Sequence, residues 1–140
     1  MYATQTDIEN RLDPKHLIEL ADDNNDGTPD AAVIEAAIAD ADGIIDTHLK
    51  SRYAVPLNPA PAILKKLSAD LAVASLFARR RESASPHHEA RAKAAVELLG
   101  AIARGEILLA EASESSLKGA PDSTTRSADK TFSHDSLEPF

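Results

Sequence analysis

Oxygen-bearing side chains crowd the segment between residues 22 and 30, where their spacing could hold a cation. Four of them stand at positions 1, 3, 5 and 9 of a calcium-binding loop, namely Asp22, Asn24, Asp26 and Asp30. Gly27 stands where such a loop turns sharply, but Val33 occupies the closing position that normally carries a bidentate Glu. The segment therefore predicts either a weak calcium site or an acidic turn that caps the helix beginning at Pro29.

Other reactive side chains lack the partners that catalysis requires. The five histidines form no HExxH motif, and the adjacent His87 and His88 would diverge on a helix, so we interpret all five as solvated surface residues. Asp70 lies among apolar neighbours without a second converging acid, and is expected to pair with a basic residue of a neighbouring helix. The chain has no Cys, phosphate loop or nucleophile elbow. The sequence therefore predicts a protein that is not an enzyme and needs no cofactor.

Three consecutive arginines, Arg79, Arg80 and Arg81, form the densest basic group of the sequence. Cations are stabilised at the C-terminal end of a helix, which is where these residues fall. Interleaved aromatic residues are missing and the net charge is −8, so sequence-specific nucleic-acid binding is not expected. We interpret the three arginines as candidates for a subunit interface.

Composition favours one helical domain. The chain has 140 residues, of which 43% are hydrophobic, and these are mostly Ala, Leu and Ile. No uncharged stretch approaches the roughly 18 residues of a membrane span, and Asp7, Glu9 and Arg11 stand where a signal peptide would be apolar. We therefore expect a soluble, unexported protein with no membrane partner.

Apolar periodicity and capping residues place the expected helices. A short helix capped by Thr6 and another opened by Asp13 and Pro14 precede a helix of about 24 residues that starts at Thr28 and continues close to Tyr53. Prolines over 54–61 form a connector before a third helix that ends at the arginine cluster. Ser85 and Pro86 open a further helix, which ends at Gly105. The predicted fold is all-α, a small bundle of about four helices with one long central helix and an extended C-terminal arm.

The composition changes near residue 112. Residues 1–112 are predicted to form the helical domain, and residues 113–130 a flexible linker rich in Ser, Thr, Asp and Lys. The final stretch carries three isolated large apolar residues, Phe132, Leu137 and Phe140, and resembles a docking arm that orders on binding.

Charge is distributed in blocks along the chain. Residues 1–46 carry −10, residues 47–104 carry +6 and residues 105–140 carry −4. Such a dipolar chain suits charge-steered association with copies of itself or with a partner.

Several segments together resemble a known family. They are Met1-Tyr2-Ala3-Thr4, the acidic turn with the Ala/Ile-rich helix after it, the motif Ser51-Arg52-Tyr53-Ala54-Val55-Pro56-Leu57, the stretch Ala103-Arg104-Gly105-Glu106-Ile107, and the end of the chain from Thr131 to Phe140. In this order they are similar to the Mu-like prophage proteins related to head–tail connector, or head-completion, adaptors of long-tailed phages.

The resemblance implies a structural protein of the virion neck, assembled in the host cytoplasm. Adaptors of this kind form a ring, usually of twelve copies, beneath the portal protein, and extend C-terminal arms to engage it. The ring continues the channel for passing DNA and offers a platform for a stopper or tail-completion protein. The matching motif residues here are Arg52, Tyr53, Pro56 and Leu57.

Two other interpretations remain open at the level of sequence. One is a small calcium-responsive helical binding module built on the loop from Asp22 to Asp30. The other is a bacterial helical interaction protein unrelated to phages.

Overall fold

The computed structural model describes residues 1–110, which form five packed helices. They are α1 (Gln5–Glu9), α2 (Pro14–Ala21), α3 (Ala31–Leu49), α4 (Ala62–Arg79) and α5 (Pro86–Arg104). Residues 1–110 contain no β-strand, so the predicted all-α bundle is confirmed. The predicted linker and arm over 113–140 lie outside the described residues.

Three of the predicted helix ends are confirmed in atomic detail. Asp13 caps α2 by accepting a hydrogen bond from the Lys15 backbone N–H, with Pro14 at the first helical position. Ser85 caps α5 in the same way. Gly105 ends α5 with a positive φ of 79°, a conformation that favours glycine because other residues meet a Cβ clash there.

Two of the predicted starts are wrong by two residues. Thr4, rather than Thr6, caps α1, because Thr4 and Asp7 form a reciprocal capping box. Asp30, rather than Thr28, precedes α3, because Asp26 Oδ1 accepts hydrogen bonds from the backbone N–H and the hydroxyl of Thr28 and holds it in the preceding turn. Helix α3 therefore has 19 residues instead of about 24, and it ends at Leu49.

The interior of the bundle is formed around α3 and α4, each of which contacts all four other helices. Residues 67–73 of α4 are buried without interruption, so this part of the helix is enclosed around its whole circumference. The apolar residues of α3 recur at helical spacing and face the core through Ile34, Ile38, Ala41, Ile45 and Leu49, whereas Ile44 is 42% exposed. Helix α4 thus shares the central position that the sequence predicted for α3 alone.

One tyrosine joins the connector between α3 and α4 to the segment after α5. Tyr53 is buried in the connector after α3, and its hydroxyl accepts a hydrogen bond from the Leu109 backbone N–H at 3.2 Å. Leu109 is itself buried, so the chain after α5 lies against the bundle. No helix of the described part is both long and apolar enough to cross a bilayer.

Candidate functional site

The acidic turn between α2 and α3 is closed by its own side chains. Asp30 accepts hydrogen bonds from the Asp23 backbone N–H at 2.9 Å and from the Asn24 side-chain amide at 3.1 Å. Asp22 accepts hydrogen bonds from the backbone N–H groups of Asp26 and Gly27 at 3.3 and 2.9 Å. The Asp30 N–H donates to the Ala21 carbonyl at 2.9 Å and so joins the two ends of the turn.

These contacts show the predicted acidic turn, and calcium binding by its oxygens stays a prediction. The hydrogen bonds from Thr28 hold the pKa of the Asp26 carboxyl below its ordinary value, because they stabilise the charged form. Within residues 1–110, no three His, Asp or Glu side chains converge as a metal-binding group. The oxygens of Asp22, Asn24 and Asp30 are directed to N–H donors of the same turn.

The arginine cluster at the end of α4 meets this turn. Both Arg79 and Arg80 form ion pairs with Asp23, and the distance from Arg80 to Asp23 Oδ1 is 2.9 Å. Arg80 also donates to the Asp22 carbonyl at 2.8 Å. Two arginines of the predicted subunit interface therefore hold the acidic turn of their own chain, and a contact with a neighbouring subunit stays a prediction.

Arg81 differs from its two neighbours. It is exposed, it adopts a positive φ of 55°, and none of the ion pairs of residues 1–110 includes it. Of the three arginines, all of them exposed, Arg81 is thus the one without an ion pair in the described part of the chain.

Asp70 is the expected paired carboxylate in the middle of α4. Its side chain is 3% exposed, and Arg11 donates from Nε to its Oδ1 at 2.9 Å. Lys66 and Arg91 approach the same carboxylate at 3.7 and 3.8 Å. Asp70 therefore joins the end of α1 to α4 and α5 and has a structural role.

A second cluster of hydrogen-bonded polar residues, which the sequence did not indicate, surrounds Tyr2. The Tyr2 hydroxyl donates to Asp46 Oδ1 at 2.5 Å and accepts from the Leu57 backbone N–H at 3.1 Å. Asp42 accepts from the Tyr2 backbone N–H at 2.9 Å and from the Ser68 hydroxyl at 2.6 Å. Burial, together with the hydrogen bond to Asp46, raises the pKa of the Tyr2 hydroxyl far above its ordinary value.

The recognisable motif of residues 51–57 lies beside the end of α5. Tyr53 and Leu57 are buried, and Leu57 is tied to Tyr2 through its backbone. Arg52 lies over Gly105, where an added Cβ would come within 2.7 Å of the guanidinium carbon. The motif residues are therefore structural, since they connect the N-terminus, the connector and the end of α5.

Phe77 lies between two histidines from different helices. Its ring centroid is 6.3 Å from that of His16 on α2 and 5.6 Å from that of His88 on α5. Burial is the main cause that lowers the pKa of His88, and the nearby His87 adds to it. The prediction that all five histidines are solvated is therefore wrong for His88, because its ring packs on Phe77.

The outward side of α3 combines small residues with acidic ones. Helix α3 carries four acids and no Lys or Arg. Its exposed positions include Ala32, Ala36, Gly43 and Ile44, together with Glu35 and Asp40. Nothing in the described chain comes within 4 Å of a Cβ added at Gly43, so this side of the helix is open.

Some of the important residues carried a weak signal in the sequence and some carried none. Thr4 and Asp7 stand at capping-box spacing, which can be recognised in retrospect. The pairing of Tyr2 with Asp46 spans 44 residues, and that of Arg11 with Asp70 spans 59, so no local pattern could reveal either. The predicted docking residues Phe132, Leu137 and Phe140 lie outside the described residues.

Comparison with known proteins places these features in context. A family model described as Bacteriophage Mu, Gp36 matches residues 2–127 of the chain. Over 66 residues the chain is 41% identical to Gene product J of Escherichia phage Mu, a stretch that covers 46% of this chain and 47% of that protein. The chain therefore matches about half the length of this curated relative.

Proposed function

Because the chain belongs to the Bacteriophage Mu, Gp36 family, we propose that it is a structural subunit of a Mu-like phage particle, the adaptor that connects head and tail. In this role several copies form a ring under the portal protein. The ring continues the DNA channel without reading its sequence and presents a platform for a stopper or tail-completion protein. The subunit acts in the neck of the virion and catalyses no reaction.

The separation of charge on the folded subunit is the observation that carries this proposal. Helix α3 carries only acids among its ionisable side chains other than His48, whereas the exposed Arg81 at the end of α4 has no ion pair among the described residues. A closed ring needs two different, complementary surfaces on each subunit, because every contact is head-to-tail. In such a ring the acidic, small-residue side of α3 would meet Arg81 of a neighbouring copy.

The roles of the buried polar groups support a structural protein. Asp70, Tyr2 and Asp42 each hold parts of the bundle together through contacts within the chain. The family match favours a phage component over an unrelated bacterial interaction protein. The hydrogen bonds within the acidic turn give no support to a calcium-responsive module, and it is not proposed.

The proposal is tested by assembly of the full chain with purified portal particles of the same phage. We expect electron microscopy to show an additional ring bound to the portal, and sedimentation to show the corresponding mass increase. Portal particles that bind the chain as single copies, or do not bind it, would contradict the adaptor role.

A charge-based variant tests the ring contact separately. Arg81→Glu should weaken ring formation at low salt, because it reverses a charge that no other group of the described chain neutralises. Lys93→Glu is the matched control, since Lys93 is exposed and already lies 4.0 Å from Glu97 on its own helix. If both variants form rings as the unmodified chain does, the arginine end of α4 is not a subunit contact.

A further inference from the structure

An apolar groove opens where the described chain ends. It has a volume of about 340 Å³ and lies between the start of α4, the end of α5 and the segment after α5. Its walls are formed by Pro61, Ile63, Leu98, Ile102, Ile107 and Leu108. Leu108 is 64% exposed and Ile107 is 41% exposed, so large apolar side chains remain uncovered in this part of the structure.

An unpaired cation stands beside this groove. Arg52 packs over Gly105, which in the sequence stands between the lining residues Ile102 and Ile107. The Arg52 Nε atom is buried and has no hydrogen-bond partner among the described residues, and no acidic side chain of residues 1–110 pairs with the guanidinium. The Arg52 guanidinium thus has no acidic partner among residues 1–110, so a ligand that brings a carboxylate next to apolar side chains would gain a charge-assisted hydrogen bond here.

We infer that the groove binds the segment from Phe132 to Phe140 of the same chain. This segment combines three large apolar residues with two acids, Asp135 and Glu138. Apolar side chains in the groove and a carboxylate at Arg52 would meet both requirements of the site. In residues 111–131, by contrast, Leu117 is the single large apolar residue.

The geometry of the chain allows this contact within one subunit. Ala110 lines the groove, so the chain leaves the described part at the edge of the site itself. The 21 residues between Ala110 and Phe132 could span up to roughly 70 Å at about 3.3 Å per residue, which is ample for a return to the groove. Attachment to the same chain gives the segment a high effective concentration, so it binds its own subunit in preference to a second one.

This inference goes beyond the adaptor role and does not depend on it. The contact would cover the apolar groove and the aromatic end of the chain in the free subunit. If the end of the chain also docks on a portal, it must first leave the groove.

The experiment uses the full chain with a photoreactive p-benzoylphenylalanine in place of Leu108. After illumination, we expect mass spectrometry to identify cross-links to residues 132–140. The same residue in place of Val96 is the control, because Val96 is 43% exposed on α5 and does not line the groove. Cross-links from position 108 only to residues 111–131, or no cross-links to the chain, would overturn the inference.

Isotope mixing decides which chain supplies the segment. In an equal mixture of ¹⁴N and ¹⁵N chains, the expected cross-linked peptides carry a single isotope, because both halves come from one molecule. Peptides that combine the two isotopes would overturn the assignment, since the segment would then come from a second copy.

Substitutions in the segment test the chemistry and leave every core residue of the bundle unchanged. The double variant Leu137→Asp and Phe140→Asp should lower the cross-link yield at least fivefold. Ser136→Asp is the matched control, because it adds a negative charge and keeps all apolar residues. Glu138→Lys should lower the yield at low salt through Arg52, and equal yields for all of these variants would overturn the inference.

Discussion

Arg11 Nε donates a hydrogen bond to Asp70 Oδ1 at 2.9 Å and thereby joins the segment after α1 to the most enclosed part of α4. The Arg11 side chain is 19% exposed and the Asp70 side chain 3%, so water screens this pair little. Burying Asp70 as a carboxylate is tolerated because a cation is held against it.

Loss of Arg11 should therefore destabilise the protein strongly. Arg11→Met leaves the buried carboxylate with only the longer contacts from Lys66 and Arg91, and we expect the free energy of unfolding to fall by about 3 kcal/mol. Lys66→Met is the control, because the Lys66 side chain is 59% exposed and its loss should cost less than about 1 kcal/mol. Urea denaturation measures both, and equal losses would show that Arg11 is not the main partner.

The Tyr2 hydroxyl should contribute to stability beyond the packing of its ring. Tyr2→Phe keeps the ring but leaves the Asp46 carboxylate and the buried Leu57 N–H without this partner. We expect the free energy of unfolding to fall by about 1–3 kcal/mol in denaturant titrations at neutral pH. A variant as stable as the unmodified chain would mean that water replaces the hydroxyl at no cost.

The two glycines with positive φ should respond differently to substitution. Gly27 and Gly105 have φ values of 85° and 79°, so Ala at either position is strained by about 1 kcal/mol. At Gly105 the new Cβ also meets the Arg52 guanidinium, whereas at Gly27 nothing lies within 4 Å. Gly105→Ala should thus lower the melting temperature more than Gly27→Ala does. The opposite order would contradict the close packing of Arg52 on this turn.

Protonation of His88 should destabilise the fold in mildly acidic solution. Its pKa is lowered in the folded protein by burial against Phe77, so the unfolded chain binds the proton more readily. The stability that neutral His88 contributes to the fold is fully present above a pH of about 6.5, the ordinary pKa of histidine. It is lost as the pH falls below that value.

Denaturant titrations between pH 7.5 and 5.5 test this pH dependence. The free energy of unfolding should decrease with falling pH in the unmodified chain and decrease less in His88→Gln. His48→Gln is the control, because it keeps His88 and its contact with Phe77. Identical pH profiles for His88→Gln and the unmodified chain would exclude His88 as the titrating group.

The sequence predicted most of the local structure because local structure depends on neighbouring residues. Asp13 with Pro14, Ser85 with Pro86, and Gly105 each marked a helix end correctly, since caps act over one turn of chain. The start of α3 was placed two residues early, because the hydrogen bonds from Thr28 to Asp26 compete with its use as a cap. Ile44 matched the apolar period of α3 but lies just beyond the edge of the buried stripe.

The sequence by itself determined the helical class, the acidic turn and the order of motifs that marks the phage family. Only the tertiary structure decided that Arg79 and Arg80 hold Asp23, that Tyr2 pairs with Asp46, and that Arg52 stands beside an apolar groove. The physical reason is the distance along the chain over which each kind of interaction acts. Helix periodicity and capping are properties of a few adjacent residues, whereas the partner of a buried charge or hydroxyl is chosen by how the helices pack.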